Sequence, residues 1–404
     1  MPAGLATAQL LVARRQASSS SAAAPSRSSL PPPPFPPPLY AWGVADDGRL
    51  GVDPTTLTDE TDTVGAAAHT PTRVYGLHGV GIAAAAAGAA HSLVLDTTGV
   101  VWSWGLGGDG QLGHGDWASE WMPRPLPTAA LGGDAAGGAV AVAAGARHSL
   151  VATADGGVWA FGSNAAGQLG LTSTEGGCDG DNGGGGGGGG SGGGGWRSAV
   201  FGARAPRTVA TPTRIPGLAG VSIVSVAAGD AFSVALSADG GVYTFGASES
   251  GQLGHGIPPG ARSLRMPLLP SLVPAVCAAA APRRVRSLVG EVVSAVAAGP
   301  AHAVALTRGG EALSWGAGRG WAHAAPGAGE ADVGEPSPVA GLAGVAVAKV
   351  APGGAHTLAL TTGGRSLPGA PTPLDASAAA PQPPTRRACR RLGHRRRGRP
   401  EGGR

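Results

Sequence analysis

The feature that most constrains this chain is an internal repeat whose units carry the same residues at the same offsets. We take one glycine as the origin of each unit. A His stands three residues after this origin in four units and a Phe in one, and another Gly stands eleven residues after it. Sixteen residues after it, four units have Trp or Phe followed by Gly, and three of them continue to Gly-Gln-Leu-Gly. The origins are Gly88, Gly145, Gly229, Gly299 and Gly353. Such a repeat predicts an array of packed, similar units.

Each unit has the pattern of a small antiparallel sheet. In the second unit, residues 148–152 alternate, Asp155-Gly156 marks a turn, and residues 158–161 alternate again. Alternation between turn signals indicates half-buried strands. The chain has 73 Gly and 35 Pro among 404 residues but is 42% hydrophobic, which favours many short strands and turns over long helices. Because one such sheet cannot bury both of its faces, the units must pack on one another, and radial packing gives a propeller.

The succession Ala-Ala-Gly-x-x-His-Ser-Leu, Asp-Gly, Trp-Gly and Gly-Gln-Leu-Gly resembles the repeat of the regulator of chromosome condensation family over about residues 39–364. The resemblance implies an all-β fold, a β-propeller of four-stranded blades, usually seven. Five blade equivalents are visible: two half units and four complete units that start near Ile82, Val140, Ile223 and Val292. The two halves are expected to form one blade and close the ring. Either the ring is small, or two blades are missing from this chain.

Two insertions interrupt the repeat, at residues 172–210 and 257–281, and both follow a Gly-Gln-Leu-Gly turn. The first contains a run of glycines at 183–195 that is typical of a flexible coil, and the second is apolar and broken by Pro. Because both follow the same turn, both are expected on one face of the ring, where repeat proteins often bind partners. Unconstrained drift of surface loops is the alternative explanation.

The segments outside the repeat have biased compositions. Residues 1–30 contain three Arg, many Ala and Ser and no acid, which predicts an organelle transit peptide or a disordered N-terminus. The mitochondrion is the first expectation, with plastid, cytoplasm or nucleus as alternatives. Residues 31–38 form a polyproline spacer. Residues 365–404 are Pro-rich, and residues 386–404 hold nine Arg, which indicates a disordered nuclear-import or nucleic-acid-binding tail, or a gene model that leaves its reading frame.

Four repeated histidines are the obvious candidates for a catalytic or metal site. They recur at one repeat position and hence in different blades, whereas metal ligands must converge. We therefore expect structural histidines bonded to backbone between strands, and the repeated Trp and Phe as anchors between blades. Asp230, at a non-repeat position after its origin Gly, is a weak binding candidate. The histidines are His91, His148, His302 and His356.

No other group of residues suggests chemistry. Cys178, Cys277 and Cys389 lack metal-ligand spacing and cannot form a disulfide framework. The glycine run at 183–195 has no Lys and no flanking strand and helix, so it is not a phosphate loop. The sequence therefore predicts no catalytic residue, no cofactor, no metal, no small-molecule substrate and no membrane span.

Three functions follow from this reading. The first is a non-enzymatic regulatory or scaffold propeller that binds a protein partner through loops on one face, inside an organelle. The second is guanine-nucleotide exchange on a small GTPase, Ran-like or organellar, which the resemblance implies because the founder of the family has that activity; no residue here matches a wedge that opens a nucleotide site. The third is chromatin association through the Arg-rich tail.

Overall fold

The computed structural model describes residues 8–10, 36, 38–52, 67–171, 207–256, 278–318, 332–354 and 356–362. These residues form short β-strands and single 3-10 turns, without an α-helix in the described part of the chain. The strands are β1 Ala8–Leu10, β2 Tyr40–Val44, β3 Ala67–Arg73, β4 Ile82–Ala87, β5 His91–Asp96, β6 Val101–Gly105, β7 Glu120–Pro125, β8 Ala139–Ala144, β9 His148–Thr153, β10 Val158–Ser163, β11 Thr208–Arg214, β12 Ile223–Ala228, β13 Phe232–Ser237, β14 Val242–Ala247, β15 Ala278–Arg284, β16 Val293–Ala298, β17 His302–Thr307, β18 Ala312–Gly316, β19 Val333–Pro338, β20 Val347–Pro352 and β21 Thr357–Thr361. The 3-10 turns are Asp46–Gly48, Thr128–Leu131, Gly133–Ala136, Pro216–Leu218, Arg286–Leu288 and Ala340–Leu342. The chain is all-β, as predicted.

Four complete blades follow one another along the chain, and each is a meander in which strands pair in chain order. The blades are β4 to β7, β8 to β11, β12 to β15 and β16 to β19, with antiparallel pairing throughout. The first strand of each blade is the inner one, and inner strands of adjacent blades contact each other. The predicted propeller of four-stranded blades is confirmed.

A further strand lies on the inner edge of the first blade. β1 pairs antiparallel with β4, with Ala8 opposite Ala87 and Leu10 opposite Ala85. Part of the segment that was predicted to be a transit peptide or disordered therefore belongs to a sheet.

The two half units do not form one blade among the described residues, so that expectation is wrong. β2 pairs with β3 and β20 pairs with β21, in two separate sheets. The first half packs against the first blade, where Val74 joins Trp104 in one core cluster. The second half packs against the fourth blade, where Val347 joins Leu306. The halves are thus held at opposite ends of a four-blade array, and Trp42 at the anchor position is 62% exposed where Trp104 is 2% exposed.

The outer strands explain why the blades end after four strands. Each outer strand has a Pro at the same register position, and Pro offers no N–H for pairing with a further strand. These residues are Pro71, Pro123, Pro212, Pro282 and Pro336. The outer strands β11 and β15 begin at Thr208 and Ala278, so the last residues of both predicted insertions belong to blades. Residues 172–206 and 257–277 of the insertions lie outside the described residues.

The Gly-Gln-Leu-Gly turn lies between the third and fourth strands of the first three blades and packs against the following blade. In the first blade, Leu112 is buried and Gly113 has a φ of +77°. A Cβ on Gly113 would lie 2.8 Å from the ring of Phe161, the anchor residue of the second blade. The repeated aromatic residues are therefore anchors between blades, as predicted, and the last Gly of the motif is needed both for its left-handed backbone and for the close approach of the ring.

Candidate functional site

Three of the repeated histidines connect adjacent blades through their side chains. In each pair the His Nε2 atom lies within hydrogen-bond distance of a hydroxyl oxygen on the second strand of the following blade or half-blade. The predicted backbone partners are therefore wrong for Nε2. The pairs are His91 with Ser149 at 2.9 Å, His148 with Ser233 at 3.0 Å and His302 with Thr357 Oγ1 at 3.0 Å. The fourth, His356, belongs to the last half-blade and is exposed.

The hydroxyl groups determine the protonation of the buried imidazoles. Ser149 Oγ donates its proton to the carbonyl oxygen of Gln111 at 2.7 Å, so its oxygen accepts from the Nε2–H of His91. Complete burial lowers the pKa of His91 to about 4 and that of His148 to about 3, with the His91 charge adding to the effect on His148. A buried, neutral imidazole whose N–H is used in this way holds blades together and is sequestered from substrates.

The interface between the third and fourth blades uses a different solution. Phe232 replaces the histidine, and Ala303 stands where the other blades have a hydroxyl. The carbonyl of the preceding turn then receives its hydrogen bond from the anchor instead, because Trp315 Nε1 donates to Gln252 O at 2.9 Å. At this interface the histidine donor and the hydroxyl acceptor are both absent, and an apolar pair stands in their place. Such a joint replacement is typical of a contact that holds two blades together.

The remaining candidate from the sequence is half-buried and isolated. Asp230 lies between β12 and β13, and its backbone N–H donates to Pro300 O at 3.0 Å. Burial raises the pKa of its carboxyl group, and Oδ1 has no hydrogen-bond partner among the described residues. Within the described ranges, no group of three or more His, Cys, Asp or Glu residues is arranged to hold a metal ion. The described residues also contain no helix that is long and apolar enough to cross a membrane.

The exposed surface offers a different kind of candidate. Because the strands of a blade alternate in direction, the connections after the first and third strands lie at one end of the blade, which we call the upper face. Both long insertions belong to connections of the third strand to the fourth. In the first blade the equivalent connection is short, and the structure describes it completely.

This connection and the strand that follows it present three large apolar side chains to solvent. Trp117, Trp121 and Met122 are 58%, 49% and 45% exposed, and we call them the rim patch. They lie outside the repeat columns of Gly, His and aromatic residues, so those columns did not predict them. Exposed Trp and Met residues are enriched at protein–protein interfaces, whereas scattered Val or Leu residues are not informative.

The backbone that carries the rim patch is fixed at several points. Gly115 N donates to Ala210 O of the second blade at 2.9 Å, and Gly107 N donates to Ser119 Oγ at 3.2 Å. Arg124 forms ion pairs with Glu120 at 2.6 Å and with Asp116 at 3.8 Å. A preorganised apolar surface of this kind loses little conformational entropy when it binds.

The fold and its interblade contacts define a class of protein, the propellers built from repeats with a Gly-Gln-Leu-Gly turn and an aromatic anchor. The family model described as the RCC1-like domain matches residues 38–367, so the chain belongs to the family of RCC1-like proteins.

Three relatives show how far the similarity extends. The human E3 ubiquitin-protein ligase HERC2 is 32% identical over 330 residues, which are 80% of this chain and 5% of that protein. The ultraviolet-B receptor UVR8 of Arabidopsis thaliana is 30% identical over 278 residues, 69% of this chain and 48% of the receptor. The crystal structure of Kap60 bound to yeast RCC1 (Prp20) matches with a TM-score of 0.51 and 25% identity, over 71% of this chain and 55% of that one. The chain therefore spans about half, or far less, of the proteins it resembles.

Proposed function

We propose that this chain is a non-enzymatic, protein-binding propeller that scaffolds or regulates a partner through its upper face, inside an organelle. The observation that carries the proposal is the rim patch, since it exposes two Trp residues and one Met on a fixed backbone. Two facts support it. The repeated polar residues are used between blades, and the yeast relative was crystallised with a protein, Kap60.

The experiment compares three versions of the full chain. Each version is expressed in cells, cross-linked to the proteins bound to it, and purified together with them. The rim variant carries Trp117→Ser and Trp121→Ser. The control variant carries Val140→Ser and Val224→Ser, two residues of inner strands that are 47% and 48% exposed. A partner that uses the patch is retained by the wild type and the control and lost from the rim variant.

The candidate partner is then purified and its dissociation constant measured with each version. Truncation of a hot-spot Trp costs about 2 kcal/mol or more, so we expect the rim variant to bind at least tenfold more weakly. Equal affinity of the rim variant and the wild type would exclude this surface. A specific acceleration of GDP release from a small GTPase would instead favour nucleotide exchange, the competing function.

The organelle is part of the proposal and has its own test. The full chain with a C-terminal tag is compared with a version that starts at Pro31. Entry of the full chain alone into mitochondria supports a transit peptide in residues 1–30. Accumulation of both versions in the nucleus would contradict the organelle and favour a role for the Arg-rich tail.

A further inference from the structure

One connection between blades is longer than its equivalents. Four of the five connections from an outer strand to the next inner strand place two apolar residues eight positions apart, as in Ile215 and Ile223. In the connection from the first to the second blade, Leu126 and Ala139 are thirteen positions apart. This connection therefore contains five extra residues. The four shorter ones run from Val74 to Ile82, Ile215 to Ile223, Val285 to Val293 and Val339 to Val347.

The longer connection borders a cavity of about 260 Å³. It runs past the turn between β5 and β6, to which it is tied by a hydrogen bond of 3.0 Å from Ala139 N to Gly99 O. Both segments lie at the end of the blades opposite to the upper face, which we call the lower face. The cavity lining includes Thr98, Val101, Leu126, Thr128, Leu131 and Ala139.

The chemistry of the wall restricts what the cavity can hold. Among the described residues that line it, none carries a charge, and the side chains are apolar apart from two threonines, whereas backbone groups add polar surface to the wall. Thr98 Oγ1 already donates to Asp96 Oδ1 at 2.6 Å. A carboxylate or phosphate would lose its hydration here without gaining a cation, so a neutral occupant that combines an apolar ring with a hydrogen-bonding group fits best.

The volume and position restrict the occupant further. An apolar cavity of about 150 Å³ holds one benzene molecule, so about 260 Å³ has room for a two-ring aromatic group. The cavity opens to solvent beside Thr98 and Thr128, both exposed, so a side chain on another protein can reach it. We propose that this cavity is a second binding site, which receives a Trp side chain of a protein partner on the lower face. This site is separate from the rim patch and stands or falls independently of it.

The test measures binding of N-acetyltryptophanamide, a neutral Trp mimic, to the full chain by ligand-observed NMR. In the first variant, residues 216–222 replace residues 127–138, which restores the eight-residue connection and removes the wall of the cavity. The second variant, Thr128→Trp, places an indole at the mouth of the cavity and does not depend on refolding of a grafted loop. The rim variant Trp117→Ser and Trp121→Ser serves as the matched control.

We expect saturable binding by the wild type and the control, and at least tenfold weaker binding by both cavity variants. Absence of binding by the wild type at millimolar concentrations of the mimic overturns the proposal. Binding by a folded graft variant with the affinity of the wild type overturns it as well. Loss of binding in the control alone would move the site to the rim patch, and would also overturn it.

Discussion

Replacement of Ser233 by Ala should destabilise the propeller strongly because it leaves two buried polar groups without partners. Ser233 Oγ lies 3.0 Å from His148 Nε2 and donates to Gln168 O at 2.7 Å. Both His148 and Ser233 have a relative exposure of 0%. An orphaned buried polar group costs about 1–3 kcal/mol, so the two groups together should lower the free energy of unfolding of Ser233→Ala by about 2–6 kcal/mol.

The same chain supplies the rescue. The interface of the third and fourth blades pairs Phe232 with Ala303 and satisfies the turn carbonyl from Trp315. Adding His148→Phe and Phe245→Trp to Ser233→Ala transfers this solution to the preceding interface, since Phe245 is the equivalent anchor. The triple variant should recover at least half of the lost free energy of unfolding. The recovery is incomplete because the larger ring must be packed into the same space.

Urea unfolding, followed by fluorescence of the buried tryptophans, measures both effects. With a slope of about 3 kcal/mol per M urea, the single variant should unfold at a midpoint lower by about 1 M. A midpoint within 0.2 M of the wild type, roughly 0.5 kcal/mol, would refute the reasoning about orphaned groups. A triple variant less stable than the single one would refute the equivalence of the two interfaces.

Two further predictions concern pH and the turn glycines. His148 binds a proton near its ordinary pKa of 6.5 in the unfolded chain, but only near pH 3 in the folded chain. The unfolded state therefore holds more protons at acid pH. As a result, the free energy of unfolding decreases as the pH falls from about 6.5. Between pH 6 and 4, the free energy of unfolding of the variant His148→Phe with Ser233→Ala should fall less steeply than that of the wild type, by about 1.4 kcal/mol per pH unit. The same pH dependence in both proteins, measured by urea unfolding, would contradict this prediction. Gly113→Ala should lower the free energy of unfolding by about 1–3 kcal/mol more than Gly79→Ala, because both glycines have a positive φ but only Gly113 faces a ring. Equal urea midpoints of the two variants would contradict the role of the ring.

The repeat columns predicted the blades because each column has a steric cause that recurs in the same way in successive units. A Gly at the end of the Gly-Gln-Leu-Gly turn is needed wherever the next anchor ring approaches, so its spacing survives the insertions. A Pro also recurs at one position of the outer strands, and this recurrence is visible in the sequence. The anchors and the strand alternation follow from burial alone.

Other features depend on which surfaces meet, and a single unit does not show this. The hydroxyl partner of His148 lies on the next blade, 85 residues away, so only the packing of blades reveals it. The separation of β2 from β21 depends on the whole array. The five extra residues before Ala139 lie between two units, where the repeat columns place no residue, so the columns do not reveal them. The aromatic residues Trp117 and Trp121 carried a usable signal, since they match no repeat position.

The central claim is that a protein partner binds the upper face at the rim patch. Hydrogen–deuterium exchange of the full chain, with and without its purified partner, tests it most directly. The account predicts that the partner slows exchange in residues 114–122, around Trp117 and Trp121, and leaves the buried second strands unchanged. Slowed exchange that is confined to other surfaces, with residues 114–122 unaffected, would contradict it.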